Sequence, residues 1–202
     1  MSRAFNLLAS LLPQASQAEL EFLKHSFQHL HKKVWSKDHY LFRQGESWHQ
    51  LILIEKGLIR CFYLEDGREI NLRFLCGESI ALPFASLADH FINPQAALIA
   101  SEYIQTVSEV HGYCIPLEFL LDQAKYPILD RLRIEIIARH YIAIEQRLRM
   151  IQNLKAIERY KKFLTWMPAD IVQNMPNHHI ASYLGIAPES LSRLKQNFYY
   201  EN

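Results

Sequence analysis

Cysteine is scarce in this chain and does not cluster. Cys61, Cys76 and Cys114 are odd in number, widely separated, and form no C-x-x-C pair. That spacing argues against an intrachain disulfide framework, a zinc site or an iron–sulfur cluster, and predicts buried thiols. No run of about 18 uninterrupted apolar residues occurs, the length a membrane-spanning helix requires. The first residues, Met1 to Pro13, also lack a long apolar block followed by a cleavage site, so a cytoplasmic protein with no membrane partner is expected. Internal repeats and low-complexity tracts are absent as well. Histidine is abundant, with ten copies, but His25, His29 and His31 have no acidic or cysteine partner at ligand spacing. A solvated helix face is therefore expected there rather than a metal site.

Half of the 202 residues are hydrophobic, enough for one generous core or two modest ones. The net charge of +1 divides unevenly: residues 1–128 carry 11 Lys and Arg against 14 Asp and Glu, whereas 129–202 carry 11 against 7. A positive carboxyl-terminal part suits a polyanion, because Lys and Arg contacts to phosphate release counterions.

The hydrophobic period changes along the chain. A leucine-rich amphipathic start is followed by Gln17–Phe27, where Leu20, Leu23 and Phe27 recur at helical spacing. From Lys33 to about Pro116 short apolar and aromatic runs alternate with turn residues, among them Lys56-Gly57, Cys76-Gly77, Asn93-Pro94 and His111-Gly112. This spacing predicts an antiparallel barrel or sandwich, with Asp66-Gly67 between two strands as its clearest hairpin. Helical periodicity returns after Pro127 and continues without Gly or Pro to Pro168, with a break expected near Asn153. Ile134, Ile137, Tyr141, Ile144, Leu148 and Ile151 form the narrow stripe of a two-stranded coiled coil, and so a candidate homodimer interface. A second row, Leu129, Leu132, Ile136, Ala143 and Met150, is placed to pack on the barrel. Ile157, Tyr160, Phe163, Leu164 and Met167 suggest a further amphipathic helix.

The most informative segment is His179 to Lys195. Ala181 is small where two helices would touch, and Gly185 can take the positive φ that ends the first of them. Ile180, Leu184, Ile186, Leu191 and Leu194 fall on the side that must be buried, leaving Glu189, Ser190, Ser192, Arg193 and Lys195 on the other. Agreement at this many offsets indicates a helix-turn-helix, the unit that sets one helix into a DNA groove.

Taken together, the order of these parts resembles the Crp/Fnr family of bacterial regulators, which includes the cyclic-AMP receptor protein. The marks are Leu41–Glu46, Leu53–Arg60, Asp66–Ile70 and Leu75–Ile80, with Gly45, Gly57, Gly67 and Gly77 at the family's turn positions. The resemblance implies an α+β fold: residues 1–126 as a double-stranded β-helix (jelly roll) sensor like cyclic-nucleotide-binding domains, 127–153 as a dimerisation helix, and 154–202 as a helix-turn-helix DNA-binding domain. Nucleotide-binding members have a short helix beginning Gly-Glu after the turn matching Gly77, then an Arg-Ser/Thr-Ala segment that clamps the phosphate. This chain reads Ile80-Ala-Leu-Pro-Phe84 and Pro94-Gln-Ala-Ala97 instead. Without that arginine a buried phosphate would lose its charge-assisted bidentate contact, so a degenerate sensor is expected. An unidentified small-molecule effector, a partner protein or no ligand at all fits, and no effector residues are assigned. The piece after the recognition helix, Gln196–Asn202, is too short for the small β-hairpin many relatives add.

The family match starts the second motif helix near Pro188, which sets Glu189 and Arg193 one turn apart, able to read cytosine and guanine edges. Ser190, Ser192 and Lys195 are expected at phosphates or the periphery, and His178 and His179 at the start of the first motif helix, near phosphate. The expected partners are double-stranded DNA and a second copy of the chain. The alternative is a protein-interaction module whose DNA-binding motif is no longer competent. An enzyme is not expected: His49, His90 and His111 form no local His-x-His set with a nearby Glu of the kind jelly-roll metalloenzymes use, and no cofactor is expected.

Overall fold

The computed structural model describes residues 3–27, 30–121 and 127–200. His29, the boundary residue Tyr126 and the terminal Glu201 and Asn202 lie outside them. Helices α1 (Arg3–Ser10) and α2 (Gln17–Phe27) come first. The start of α2 is fixed by a reciprocal cap: the Ser16 amide donates to the Glu19 carboxylate at 2.7 Å, and the Glu19 amide donates to the Ser16 hydroxyl at 3.3 Å.

Eight strands follow: β1 (Lys32–Trp35), β2 (Tyr40–Phe42), β3 (Gln50–Lys56), β4 (Leu58–Glu65), β5 (Arg68–Cys76), β6 (Ser79–Ala81), β7 (Tyr103–Thr106) and β8 (Val110–Pro116). They form two antiparallel four-stranded sheets, in the orders β1-β8-β3-β6 and β2-β7-β4-β5. Consecutive strands alternate between the sheets for most of the chain, the arrangement of a jelly roll. The β4–β5 hairpin turns at Asp66 and Gly67, both at positive φ (48° and 74°), as a two-residue loop between twisted strands demands. Gly45, Gly57 and Gly77 also sit at turns with positive φ. Gly112 does not: it lies inside β8 opposite Ile54, where a Cβ would fall 2.3 Å from the Leu53 carbonyl oxygen. Its glycine answers to close backbone approach rather than to a turn.

The stretch of strand-like pattern also contains a helix. Residues Phe84–Ile92 form α3, which buries Phe84 and Leu87 on one side. A short α4 (Leu117–Leu121) leads toward α5 (Pro127–Asn153), a helix of 27 residues. The last part is helical throughout: α6 (Ala156–Trp166), α7 (Ala169–Asn174), α8 (Asn177–Leu184) and α9 (Pro188–Tyr200).

Two cores result. The first fills the barrel and takes in Leu8 of α1, Leu23 of α2 and Ile128, Leu129, Leu132 and Ile136 of α5. Each such fully covered aliphatic side chain contributes about 1.5–3 kcal/mol. The second joins the helical unit, through Phe163, Ile171, Ile180, Leu184 and Leu191, to Met150 of α5 and to Leu58 and Phe74 of the barrel. Helix α5 is therefore anchored at its start in one core and near its end in the other. Ala143, the remaining member of its second row, stays exposed. Cys61 is buried, whereas Cys76 and Cys114 are only half-buried, and all three are free thiols. Burial pushes the Cys61 thiol up to about 12. No helix among the described residues is long and apolar enough to cross a membrane.

Candidate nucleic-acid interface

Helix α8 ends because Gly185 adopts the left-handed conformation, φ 63° and ψ 42°. The Ile186 amide then reaches back to the Ala181 carbonyl at 3.1 Å, closing the helix end. Ala181 is completely buried between the two motif helices, with Ile180, Leu184 and Leu191 beside it. Arg159 of α6, which sequence reasoning passed over, fixes the turn from outside: its guanidinium donates to the carbonyls of Leu154 (2.9 Å), Leu184 (3.0 Å) and Gly185. No periodic or motif signal marks such a side chain, because its partners are backbone carbonyls brought near only by folding.

The residues assigned to DNA from the sequence fall into two groups. Glu189, Ser192 and Arg193 are exposed along α9, Ser190 is half-buried beside them, and His178 is exposed at the start of α8. The Ser192 hydroxyl donates to the Pro188 carbonyl at 3.1 Å, within its own helix. Lys195 and His179 are committed elsewhere. Lys195 donates to the Asn177 side chain at 2.5 Å and lies 6.0 Å from the centre of the Tyr160 ring, and desolvation lowers its pKa. His179 is only 9% exposed. Its Nδ1 lies 3.1 Å from the Arg60 guanidinium of β4. A guanidinium can only donate, so Nδ1 accepts and the neutral ring carries its proton on Nε2. Burial, then the Arg60 charge, pushes the His179 pKa down to about 4. In this conformation His179 meets the barrel, not solvent.

Along α5 four of the six residues of the apolar stripe are uncovered. Ile134, Tyr141, Ile144 and Leu148 are 67%, 65%, 48% and 51% exposed, while Ile137 and Ile151 are half-buried. Large apolar side chains thus stand in water along this line of the helix, with Ile142, 52% exposed, beside it.

Inside the barrel, Glu102 is 3% exposed and paired to Arg73 of β5 at 2.8 Å. Arg73 also donates to the Leu82 carbonyl at 2.9 Å and lies over the Phe84 ring. Burial raises the pKa of Glu102, while the guanidinium beside it acts in the opposite sense. The His140 ring of α5 stacks on Phe84 with centroids 3.8 Å apart, and burial pushes its pKa down to about 3. Next to this group is a mainly apolar cavity of about 290 Å³ lined by Leu11, Ile80, Phe84, Ile136, His140 and Ala143 among others. Among the described residues, no three His, Cys, Asp or Glu side chains are grouped to hold a metal ion.

No family model matches the chain. The transcriptional activator protein Anr of Pseudomonas protegens is 26% identical over 175 residues, spanning 80% of this chain and 68% of that protein. Of solved structures, FixK2 from Bradyrhizobium japonicum matches with a TM-score of 0.72 at 17% identity, covering 85% of both chains. A transcriptional regulator of the Crp/Fnr family from Eubacterium rectale matches with a TM-score of 0.66 at 18% identity, over 95% of this chain and 87% of that one. The order of jelly roll, long helix and helix-turn-helix is thus the fold that this chain shares with these solved structures, and in sequence it is similar to Anr.

Proposed function

We propose that the chain is a dimeric, sequence-specific DNA-binding transcriptional regulator whose sensor barrel no longer takes a cyclic nucleotide. The observation that carries the reading is α9, which presents Glu189, Ser192 and Arg193 to solvent from a helix-turn-helix closed by the left-handed Gly185. A second copy joined along Ile134, Tyr141, Ile144 and Leu148 would bring two such helices to one duplex, whose half-sites lie about 34 Å apart. Arg193 would take the guanine-reading role and Glu189 a cytosine, with Ser190, Ser192 and His178 nearer the backbone. Lys195 and His179, held by Asn177 and Arg60, are left out of the set for this conformation.

The degenerate sensor is supported by what occupies the barrel. A cyclic phosphate needs a guanidinium with charge to spare, and Arg73 is already committed to Glu102 and the Leu82 carbonyl. Introducing a phosphate beside buried Glu102 would set two anions in a site of low polarizability, a cost that apolar contacts would not offset. Selection of bound duplexes from a random pool, followed by competition binding at fixed salt, tests the function. Arg193→Ala is expected to lose about 1–3 kcal/mol of discrimination at one base pair. An unchanged base profile would remove Arg193 from that role, and no enrichment at all would favour a protein-interaction module.

A further inference from the structure

Ala143 belongs to the row of α5 that faces the barrel, yet a methyl group fills little space there and the residue stays exposed. Beside it two adjoining cavities lie between α5 and β5. One, of about 290 Å³, reaches toward α1, and the other, of about 240 Å³, reaches toward the helical unit. They share Arg73, Phe74, His140 and Ala143 as walls. The first ends on aliphatic side chains, Leu7 and Leu11 near α1 and Ile80 of β6. The second ends on Trp166 and Met167, where α6 stops, and on Tyr183 of α8. Trp166 is 43% exposed, a large ring left partly in water on this wall. Small-molecule sites occupy about 300–1,000 Å³, a range the two cavities reach only together.

The charged groups along the groove are already matched. Arg73 is paired with Glu102 and the Leu82 carbonyl. Arg139 donates to Glu135 at 2.7 Å, and Arg147 donates to the carbonyls of Asn71 and Tyr183, each at 3.0 Å. Burial, then the Arg73 charge, pushes the His140 pKa down to about 3, so that ring is neutral. Glu78 stands exposed at the rim. An entering anion would therefore lose its hydration without gaining a cation that lacks a partner, and would meet carboxylates of its own sign. We propose that the groove between α5 and β5 binds an uncharged, elongated apolar molecule, its aliphatic part toward α1 and a flat part against Trp166. The proposal rests on the reading of the barrel as a sensor that no longer takes a cyclic nucleotide. It adds the class of ligand and a second half of the site, on the helical unit. A ligand in this groove touches α1, β5, α5 and the end of α6 at once. Its affinity then depends on how the barrel and the helical unit are set, which is the condition for an effector to shift one arrangement against another.

Two dyes of one skeleton test the site: N-phenyl-1-naphthylamine, which is uncharged, and 1-anilinonaphthalene-8-sulfonate, which adds a sulfonate. Each is titrated into the full chain at neutral pH and fixed salt, with dye emission and tryptophan quenching read together. The uncharged dye is expected to bind saturably and about tenfold or more tighter than the sulfonate, because an unmatched anion is costly to desolvate. Ala143→Leu fills the junction of the two cavities and should weaken the uncharged dye about tenfold. Trp166→Ala removes the wall at the far end and should weaken it several-fold, with loss of most of the quenching. Ile92→Ala, at an apolar side chain 85% exposed on the end of α3, should leave dye binding unchanged, and urea unfolding verifies that each variant folds. Equal or tighter binding of the sulfonate would overturn the proposal, as would an uncharged dye that binds both groove variants as it binds the parent. Weakening by Ala143→Leu alone would confine the ligand to the barrel side and overturn the elongated site. Cyclic AMP added in competition keeps the two readings apart. Displacement of the dye by cyclic AMP would sink the nucleotide-free sensor and the proposal with it, whereas binding of neither would sink the proposal alone.

Discussion

The seam on α5 gives the sharpest quantitative expectation. Ile144 and Leu148 are 48% and 51% exposed in a single chain, so about half of each side chain is available to be buried against a partner. Full burial of an aliphatic side chain contributes about 1.5–3 kcal/mol, which makes the available half worth about 1 kcal/mol. The double variant Ile144→Ala, Leu148→Ala removes four such side chains from a symmetric dimer, about 3–4 kcal/mol after allowing for the methyl that alanine keeps. At about 1.4 kcal/mol per tenfold, the dimer dissociation constant should rise by a few hundred-fold or more. Sedimentation velocity over a concentration series measures it. The folded monomer should barely notice, because substitutions at exposed positions typically stay within about 0.5 kcal/mol. A double variant that dimerises as tightly as its parent would refute the seam, as would a parent that is monomeric at the highest concentration tested.

Two further outcomes follow from the site. Gly185→Ala should destabilise the chain by about 1–2 kcal/mol in urea unfolding, because a Cβ at φ 63° is strained although 3.5 Å of room to Arg159 is available; Gly185→Asn should recover part of the loss, and no loss would contradict the left-handed cap. Acid should also weaken the fold earlier than carboxylates alone would dictate. His140 and His179 have folded pKa values near 3 and 4 against an ordinary 6.5, so below pH 6.5 the unfolded chain binds protons that the folded one refuses. Their stabilisation is present above that value and is lost as pH falls toward 4, at up to about 1.4 kcal/mol per pH unit for each ring. His140→Gln should flatten the urea-unfolding profile between pH 6.5 and 5, and a profile identical to the parent's would show that this ring does not contribute.

Much of the architecture was legible because it is written locally. The span Gln17–Phe27 repeats at helical period and starts with a Ser16-x-x-Glu19 cap, and it is helix α2. Asp66-Gly67 can both hold positive φ between two apolar runs, and they turn the hairpin. The αL cap at Gly185 and the buried Ala181 follow from requirements of a two-helix unit that few sequences meet by chance. Phe84–Ile92 was missed although Phe84, Leu87 and Phe91 carry a helical period, because a nine-residue window embedded among strands is too short to outweigh its surroundings. Gly112 was misread for the opposite reason: glycine marks a turn and a close backbone approach with the same letter, and only the neighbouring strand distinguishes them.

The docking of α8 on β5 leaves no trace of that kind. Ser182 and Asn71 are 111 positions apart, Arg60 and His179 are 119 apart, and none of the four belongs to a periodic pattern that would betray a partner. Read in one dimension, His179 is a polar residue at a helix start, and phosphate is the natural partner for it. In three dimensions the same position faces a guanidinium, because Met150 near the end of α5 sits in one core with Phe74 of the barrel and Leu184 of α8. That shared core fixes α8 against β5 before any polar contact is chosen. The hydrogen bonds of Ser182, Arg147 and Arg60 then settle which face of the helix turns inward. Apolar residues thus determine that the two units meet, and polar ones determine how, which is why the long helix and the helix-turn-helix could be read from the chain while their relative placement could not.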